Sequence, residues 1–130
     1  MARINKKTKS IFSWSLPILW MVLIFISSSI SDFSAITGGE EKRSDLVSSL
    51  VHIVMYAILT YLLVFAFISS GFKYKKAIGY GFIIAVLYGI TDEFHQYFVP
   101  GREVHVSDWL LDVVGAFIVV NLFKYKLKNK

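Results

Sequence analysis

Residues 11–30 of the chain are IFSWSLPILWMVLIFISSSI, and no charged side chain occurs between Lys9 and Asp32. A bilayer core of roughly 30 Å is crossed by about 20 helical residues, so this run has the length of one transmembrane helix. Pro17 is expected to kink that helix. A cleavable signal peptide is the alternative, because a basic segment precedes the run. However, the run is longer than a signal-peptide core, and no small-residue cleavage site follows Ser29.

The composition of the whole chain is typical of a membrane protein. Of its 130 residues 55% are hydrophobic, and its mean hydropathy is +0.59, which is too apolar for a soluble domain of this length. The chain contains no cysteine, so a disulfide framework and a thiolate metal site are both excluded. The formal net charge of +5 comes from lysines beside apolar runs, which indicates membrane topology and not nucleic-acid binding.

Three further apolar runs follow the first one. The expected transmembrane helices are about residues 11–30, 51–70, 77–98 and 106–123. The sequence therefore predicts an all-α membrane protein, a four-transmembrane-helix bundle formed by one domain over residues 1–130. The first connection, from Ser31 to about Leu50, contains two glycines and mixed charges. We expect it to be a solvated loop with room for one short surface helix.

Lysine and arginine are distributed unevenly between the two ends of these helices. Eleven lie in the N-terminal tail, the second connection and the C-terminal tail: Arg3, Lys6, Lys7, Lys9, Lys73, Lys75, Lys76, Lys124, Lys126, Lys128 and Lys130. The other two connections contain only Lys42, Arg43 and Arg102. Because positively charged loops stay in the cytoplasm, we expect the N-terminus and the C-terminus to be cytoplasmic in a bacterial plasma membrane. All acidic residues and histidines then fall toward the outer face.

The third run has its own packing signal. Ala77, Gly81, Ala85 and Gly89 recur every four residues and place small side chains along one helix face, so another helix can approach closely. Four residues further along, the same face reaches Glu93. Close packing in the interior of a helix bundle is a sufficient explanation for these small residues. Its consequence is that the inward face carries an acid.

Four acidic residues lie deeper than the ends of their helices. Counted from Lys76 at 1.5 Å per residue, Asp92 and Glu93 lie at roughly 24 to 25 Å within a core of about 30 Å. Counted back from the C-terminal lysines, Asp112 lies at roughly 18 Å and Asp108 at roughly 24 Å. Acids at such depth are costly unless they face a wet cavity or partners, and by default they mark a functional site. The alternative is that the last two helices are short and the outer leaflet is thinned around them.

Helical spacing gathers polar side chains at this end of the bundle. Residues three or four apart share a helix face, which groups Asp92 with His95 and Gln96. The turn residues 99–102, Val-Pro-Gly-Arg, end the third helix and present Arg102 above the acids. The expected polar cluster consists of His52, Tyr56, Asp92, Glu93, His95, Gln96, Arg102, Asp108 and Asp112.

The stretch from Tyr88 to Gly115, YGITDEFHQYFVPGREVHVSDWLLDVVG, closely resembles the signature of the VanZ-like family. That signature has an Asp-Glu pair, His-Gln, a Pro-Gly-Arg turn, and then Asp with Asp or Asn four residues on and Gly three after that. Within VHIVMYAIL, His52 and Tyr56 also resemble the family's second-helix motif. Ser49 departs from it, because family members often have a lysine there.

The resemblance implies a multi-pass protein of the cell envelope. Ser27 to Ser29 are similar to the serine pair that closes the family's first helix, so the resemblance extends over all four spans. The family is named for a member that lowers susceptibility to teicoplanin-type glycopeptides. A role in glycopeptide tolerance is therefore what the resemblance implies for this chain.

Three roles for the polar cluster remain open from the sequence. In the role that we favour, Arg102 contacts a phosphate or carboxylate of a membrane lipid or lipid-linked cell-wall precursor, while Gln96, His95 and His52 complete the binding pocket. In the third role, the cluster is a structural lock without ligand. Arg102 then pairs with an acid, either Asp92 or Asp108, and the bundle keeps one register.

The second role is that of an intramembrane enzyme acting on a lipid-linked or phosphate-bearing substrate at the outer leaflet. Its catalytic candidates are Glu93, His95 and Asp112, with a general base among them and an arginine to stabilise developing charge. No nucleophile stands out and no metal-binding motif is present, so we favour binding over catalysis. A divalent metal held by His52 with these three residues is a weaker alternative. We expect neither a metal nor another cofactor, and no nucleic-acid partner.

Overall fold

The computed structural model describes residues 6–30, 41–100, 102 and 105–129. This part of the chain forms four long helices: α1 (Lys6–Ser28), α2 (Glu41–Ser69), α3 (Tyr74–Gln96) and α4 (Val106–Lys128). Each contains a stretch long and apolar enough to cross a membrane: Lys9–Ser28, Leu46–Ser69, Tyr74–Gln96 and Val106–Lys128. The predicted all-α fold with four membrane-spanning helices is confirmed.

The helices are longer than the apolar runs from which they were expected. Helix α2 begins at Glu41, so residues 41–50 are helical where a loop was expected, while residues 31–40 lie outside the described part. Helix α4 continues to Lys128, beyond residue 123, where it was expected to end. A helix satisfies its own backbone hydrogen bonds, so it can continue into water after the apolar residues stop. Hydropathy therefore marks the membrane core and not the ends of the helix.

Consecutive helices run in opposite directions. Trp14 of α1 donates a hydrogen bond to the hydroxyl of Ser70 just after α2, at 2.9 Å, and Trp20 donates to the carbonyl oxygen of Met55, also at 2.9 Å. Helices α2 and α4 run in the same direction, since His52 is hydrogen-bonded to Asp112 and, further along both helices, Tyr61 stacks on Phe123 with ring centroids 5.6 Å apart. The start of α1, the end of α2, the start of α3 and the end of α4 therefore lie together at one end of the bundle.

Helix α2 is the centre of the bundle. It packs against each of the other three helices, and 44% of its most apolar stretch is buried, against 17% for α1. Large apolar side chains cover the outside, as shown by Ile18 at 57% exposed and Ile83 at 53%. Such a surface suits lipid and not water. Helix α1 is the most lipid-exposed of the four.

The small-residue face of α3 packs inward as the sequence predicts. Ala77, Gly81, Ala85 and Gly89 are all buried. A Cβ atom added at Gly81 would lie 2.6 Å from Cγ2 of Val64 on α2, so only glycine permits this approach. At the next level of the same face the fully buried polar residues are Asp92 and Gln96.

Glycine also sets the distance between α2 and α4. A Cβ atom added at Gly115 would overlap the carbonyl oxygen of Ile53, and a backbone atom cannot rotate away as a side chain can. The two backbones are therefore in direct contact at this level. This contact places His52, the residue before Ile53, beside the helical turn of α4 that precedes Gly115. The polar site lies at this level.

Candidate functional site

His52 and Asp112 form a buried pair between α2 and α4. His52 Nδ1 is hydrogen-bonded to Asp112 Oδ1 at 2.8 Å, and the two residues are 8% and 1% exposed. Asp108, one turn earlier on α4, lies 3.9 Å from His52 Nε2 through Oδ2. Both ring nitrogens of the histidine therefore face acids of the neighbouring helix. Glu93 is close enough to interact electrostatically with all three of these side chains.

Asp92, Gln96 and Arg102 form a second chain of contacts. Gln96 is completely buried, and its Nε2 donates to Asp92 Oδ2 at 3.0 Å. Arg102 Nε donates in turn to Gln96 Oε1 at 3.1 Å. The glutamine thus has one end on a carboxylate and the other on a guanidinium, which fixes the orientation of its amide group.

Arg102 also caps the C-terminal end of α1. Its Nη1 donates to the carbonyl oxygens of Ser28 at 2.8 Å and of Ile30 at 2.9 Å. The last carbonyls of a helix have no partner within the helix, and a cation there also complements the helix dipole. In the described part of the chain no carboxylate lies within ion-pair distance of Arg102. The pairing with Asp92 or Asp108 that the structural-lock role requires is therefore not formed.

His95 lies apart from both groups. Its ring stacks on Phe25 of α1 with centroids 4.1 Å apart, and its Nε2 is hydrogen-bonded to the hydroxyl of Ser29 at 2.9 Å. Three residues on a helix turn through about 300° and four through about 400°, so His95 and Gln96 lie on opposite sides of Asp92. Helix α1 occupies the side of His95, and the expectation that this residue lines the pocket is corrected.

Four buried polar side chains have atoms with no hydrogen-bond partner among the described residues. The atoms are Tyr56 Oη, Asp92 Oδ1, Asp112 Oδ2 and both carboxylate oxygens of Glu93. The Ser28 hydroxyl lies beside Asp92, but it donates to the carbonyl oxygen of Phe25 at 3.0 Å. Buried polar atoms nearly always have partners in proteins, so each of these atoms requires an explanation.

Tyr56 and Gly89 connect the two groups of contacts. A Cβ atom at Gly89 would lie 3.2 Å from Asp112 Oδ2 and 3.4 Å from Tyr56 Cε1. Tyr56 is 1% exposed and interacts electrostatically with both Asp92 and Asp112. The acids of α3 and α4 thus belong to one polar region around a buried tyrosine.

A cavity opens between α1, α2 and α3 at this end of the bundle. About 60 Å³ of it is open to water, enough for on the order of four water molecules. Its polar lining comes from Ser27, Ser28, Ser48, His52, Tyr56, Asp92, Gln96 and Arg102. Its apolar lining comes from Ile24, Val51 and Met55. Five of the nine residues of the expected cluster line the cavity, and Glu93, His95, Asp108 and Asp112 do not.

Ser48 is a lining residue that the sequence analysis missed. It lies four residues before His52, on the same face of α2, within the segment for which a loop was expected. The apolar lining carried no signal, since each of those residues also fits a lipid-facing position. Among the described residues no group of three or more histidine or acidic side chains is arranged to hold a metal ion. His95 points toward α1, so the four-ligand set considered for a metal is not brought together.

Comparison with known protein families gives a match over most of the chain. The sequence model of the VanZ/LLP1 family matches residues 12–127, a range that contains all the described residues of the cavity. No curated protein and no solved structure matches the chain significantly.

Proposed function

Because the chain belongs to the VanZ/LLP1 family, we propose that this multi-pass membrane protein uses the cavity to bind the head group of a membrane lipid or lipid-linked cell-wall precursor. Asp92 carries the proposal. It is 4% exposed and lines the cavity, yet its Oδ1 has no partner among the described residues. An unpartnered buried acceptor costs about 1 to 3 kcal/mol. A hydroxyl or amine of a bound head group would provide the missing donor.

Arg102 supports an anionic group in the same ligand. Two of its guanidinium nitrogens are engaged by Gln96 and by the end of α1, whereas Nη2 has no hydrogen bond within the described part of the chain. The guanidinium is thus held in place before a ligand arrives, which lowers the entropy cost of binding. Its free nitrogen suits a phosphate oxygen. A phosphate with hydroxyls or an amine nearby matches both residues.

The proposed topology places this cavity at the outer leaflet. The start of α1, the second connection and the end of α4 lie at the opposite end of the bundle. Together with the terminal residues of the sequence beyond them, these segments contain eleven of the fourteen lysine and arginine residues. Positively charged segments of this kind stay in the cytoplasm. Both termini are then cytoplasmic, and in a bacterial plasma membrane the cavity opens toward lipids and cell-wall precursors of the outer face.

The cellular role that we propose is tolerance to teicoplanin-type glycopeptides, as the family resemblance implies. These antibiotics have a lipid tail that brings them to the outer leaflet. A protein that holds precursor or lipid head groups at that level would act where the antibiotic binds.

Mass spectrometry of lipids bound to the purified protein tests the binding proposal. We expect a phosphate-containing lipid to accompany the wild-type protein, and we expect Asp92→Asn and Arg102→Lys each to retain at least one such lipid molecule fewer. Lysine keeps the charge of arginine but not its planar fork. Lys73→Gln, a change at the other end of the bundle, is the control and should retain the lipid. Equal retention by all four proteins would contradict a head-group site in the cavity.

The second candidate function is catalysis, and the pair His52 and Asp112 favours it. A histidine oriented by a carboxylate through one ring nitrogen can act as a general base through the other. His52 lines the cavity, whereas Glu93 and His95, the alternative general bases considered from the sequence, do not. An enzyme of this kind would act on a lipid-linked or phosphate-bearing substrate.

Incubation in vesicles separates catalysis from binding. The purified protein is reconstituted with a total lipid extract from a Gram-positive bacterium, and the lipid composition is followed by mass spectrometry. An enzyme would convert a lipid over time and lose this activity in His52→Gln while still binding the lipid. A constant composition with the wild-type protein would exclude catalysis on those lipids.

A further inference from the structure

A second recess lies at the other end of the bundle, far from the polar cavity. Helices α3 and α4 leave a groove of about 260 Å³ between them, with Phe82 and Phe117 at its apolar end and Lys75 and Lys124 at the other. Lys75 and Phe82 are seven residues apart, which is about 10 Å along the helix. The groove thus leads from two positive charges along a helix surface into the apolar level of the membrane.

The two lysines face no acid. Helix α3 has no acidic residue in its first turn, and the ion pairs found in the described part of the chain involve only His52. Lys75 and Lys124 are both exposed. Two unneutralised ammonium groups beside a membrane surface attract anionic lipid, and each raises the affinity about fivefold.

Gly79 keeps the groove open. It lies between Lys75 and Phe82 on α3, and a Cβ atom added there would meet nothing within 4 Å. Gly81 and Gly115, by contrast, are required by close helix contacts. No helix packing accounts for the absence of a side chain at position 79. Its effect is a recess in the lipid-facing surface at this level.

We propose that this groove binds an anionic phospholipid, with the phosphate between Lys75 and Lys124 and one acyl chain lying over Gly79. The charge at one end and the apolar walls at the other match the two parts of such a molecule. The site is separate from the cavity near Asp92 and does not depend on its function.

Titration of detergent-solubilised protein with phosphatidylglycerol, followed by native mass spectrometry, tests this site. For the double variant Lys75→Gln/Lys124→Gln we expect the affinity to fall roughly 30-fold, from two contributions of the size given for a juxtamembrane charge. Gly79→Phe retains both charges and fills the groove, and we expect it also to lower the affinity at least about tenfold, since a blocked groove loses the contacts of the chain. The open space at Gly79 means that this variant can still fold.

The matched control is Lys73→Gln/Lys126→Gln, which removes two lysines from the same end of the bundle without altering the groove. It should bind phosphatidylglycerol within about threefold of the wild-type protein. An equal loss of affinity in this control would overturn the proposal, because the lipid would then be attracted by the overall positive charge of this end of the bundle and not by the groove. Unchanged affinity in Gly79→Phe, or equal binding of glycerol phosphate, which lacks acyl chains, would also overturn it. Asp92→Asn should leave this affinity unchanged, so failure at one site is distinguishable from failure at the other.

Discussion

The Nδ1 atom of His52 and the Oδ1 atom of Asp112 lie 2.8 Å apart, and they join α2 to α4 within the membrane-spanning part of the bundle. The pair therefore depends on the relative rotation and height of two helices that are distant in sequence. Loss of either residue leaves a polar group in a buried position without its partner.

A double-mutant cycle measures this relationship. His52→Ala and Asp112→Ala should each lower the free energy of unfolding by roughly 2 to 3 kcal/mol. The double variant should lose less than the sum, with a coupling of about 1 to 3 kcal/mol. Reversible unfolding in mixed micelles gives the three values. The same cycle for His52 and Asp108, whose atoms are 3.9 Å apart, should give a coupling below about 0.5 kcal/mol; equal couplings would mean that the short contact has no special role.

The glycines of the bundle are predicted to differ in their tolerance of a methyl group. Gly115→Ala places its Cβ against the carbonyl oxygen of Ile53 and should destabilise the protein by about 3 kcal/mol or more, since the backbone cannot move locally. Gly79→Ala points into open space and should change the free energy of unfolding by less than about 1 kcal/mol. Equal effects of the two changes would show that α2 and α4 are not in backbone contact.

The proposed topology can be tested with single cysteines, because the chain has none of its own. Pro100→Cys should react with a membrane-impermeant maleimide on intact cells. Lys75→Cys and Lys128→Cys should react only after the membrane is opened. Labelling of Lys75→Cys on intact cells would reverse the orientation and place the cavity in the cytoplasm.

The cellular role predicts a change in antibiotic susceptibility. Production of the protein in a sensitive Gram-positive host should raise tolerance to teicoplanin, with a smaller effect on vancomycin, which lacks the lipid tail. Gln96→Ala and Arg102→Ala should abolish the increase at unchanged membrane abundance, because they remove the side chains that hold the cavity wall in place. Lys73→Ala should preserve it. If the wild-type protein is abundant in the membrane but changes the susceptibility to neither antibiotic, the proposed role in tolerance is wrong and the cavity has a different function.

The structure and the sequence motif lead to different predictions for His95. His95→Phe preserves the stacking on Phe25 and loses only the contact with Ser29, so we expect at least half of the tolerance to remain. His52→Phe removes a cavity residue that is hydrogen-bonded to Asp112 and should abolish it. The minimum inhibitory concentration of teicoplanin compares the two. An equal loss of tolerance in both variants would indicate that His95 belongs to the functional site.

Much of the fold could be predicted because it depends on local rules. Apolar length defined the four spans, and the spacing of Ala77 to Gly89 identified the inward face of α3. The same counting predicted that Asp92 and Asp112 lie below the outer ends of their helices, and both are buried inside the bundle. These inferences need only the rise and the period of a helix.

The partners of the polar residues could not be predicted in the same way. The contact of His52 with Asp112 depends on how far α2 and α4 are rotated about their axes, and a single sequence does not contain that angle. The structural-lock alternative had Arg102 paired with an acid, whereas this residue is hydrogen-bonded to backbone carbonyls at the end of α1. Backbone acceptors exist at every helix end and leave no mark in the sequence.

The bond between Arg102 and Ser28 joins residues that are 74 positions apart, and this separation has a consequence for biosynthesis. Helix α1 enters the membrane first, and its C-terminal carbonyls must remain solvated until the segment after α3 has left the ribosome. Only then can the arginine replace water at that end. The cap of α1 therefore cannot form before residue 102 has been synthesised, and a chain arrested before that residue would have all the atoms of α1 but not its final cap.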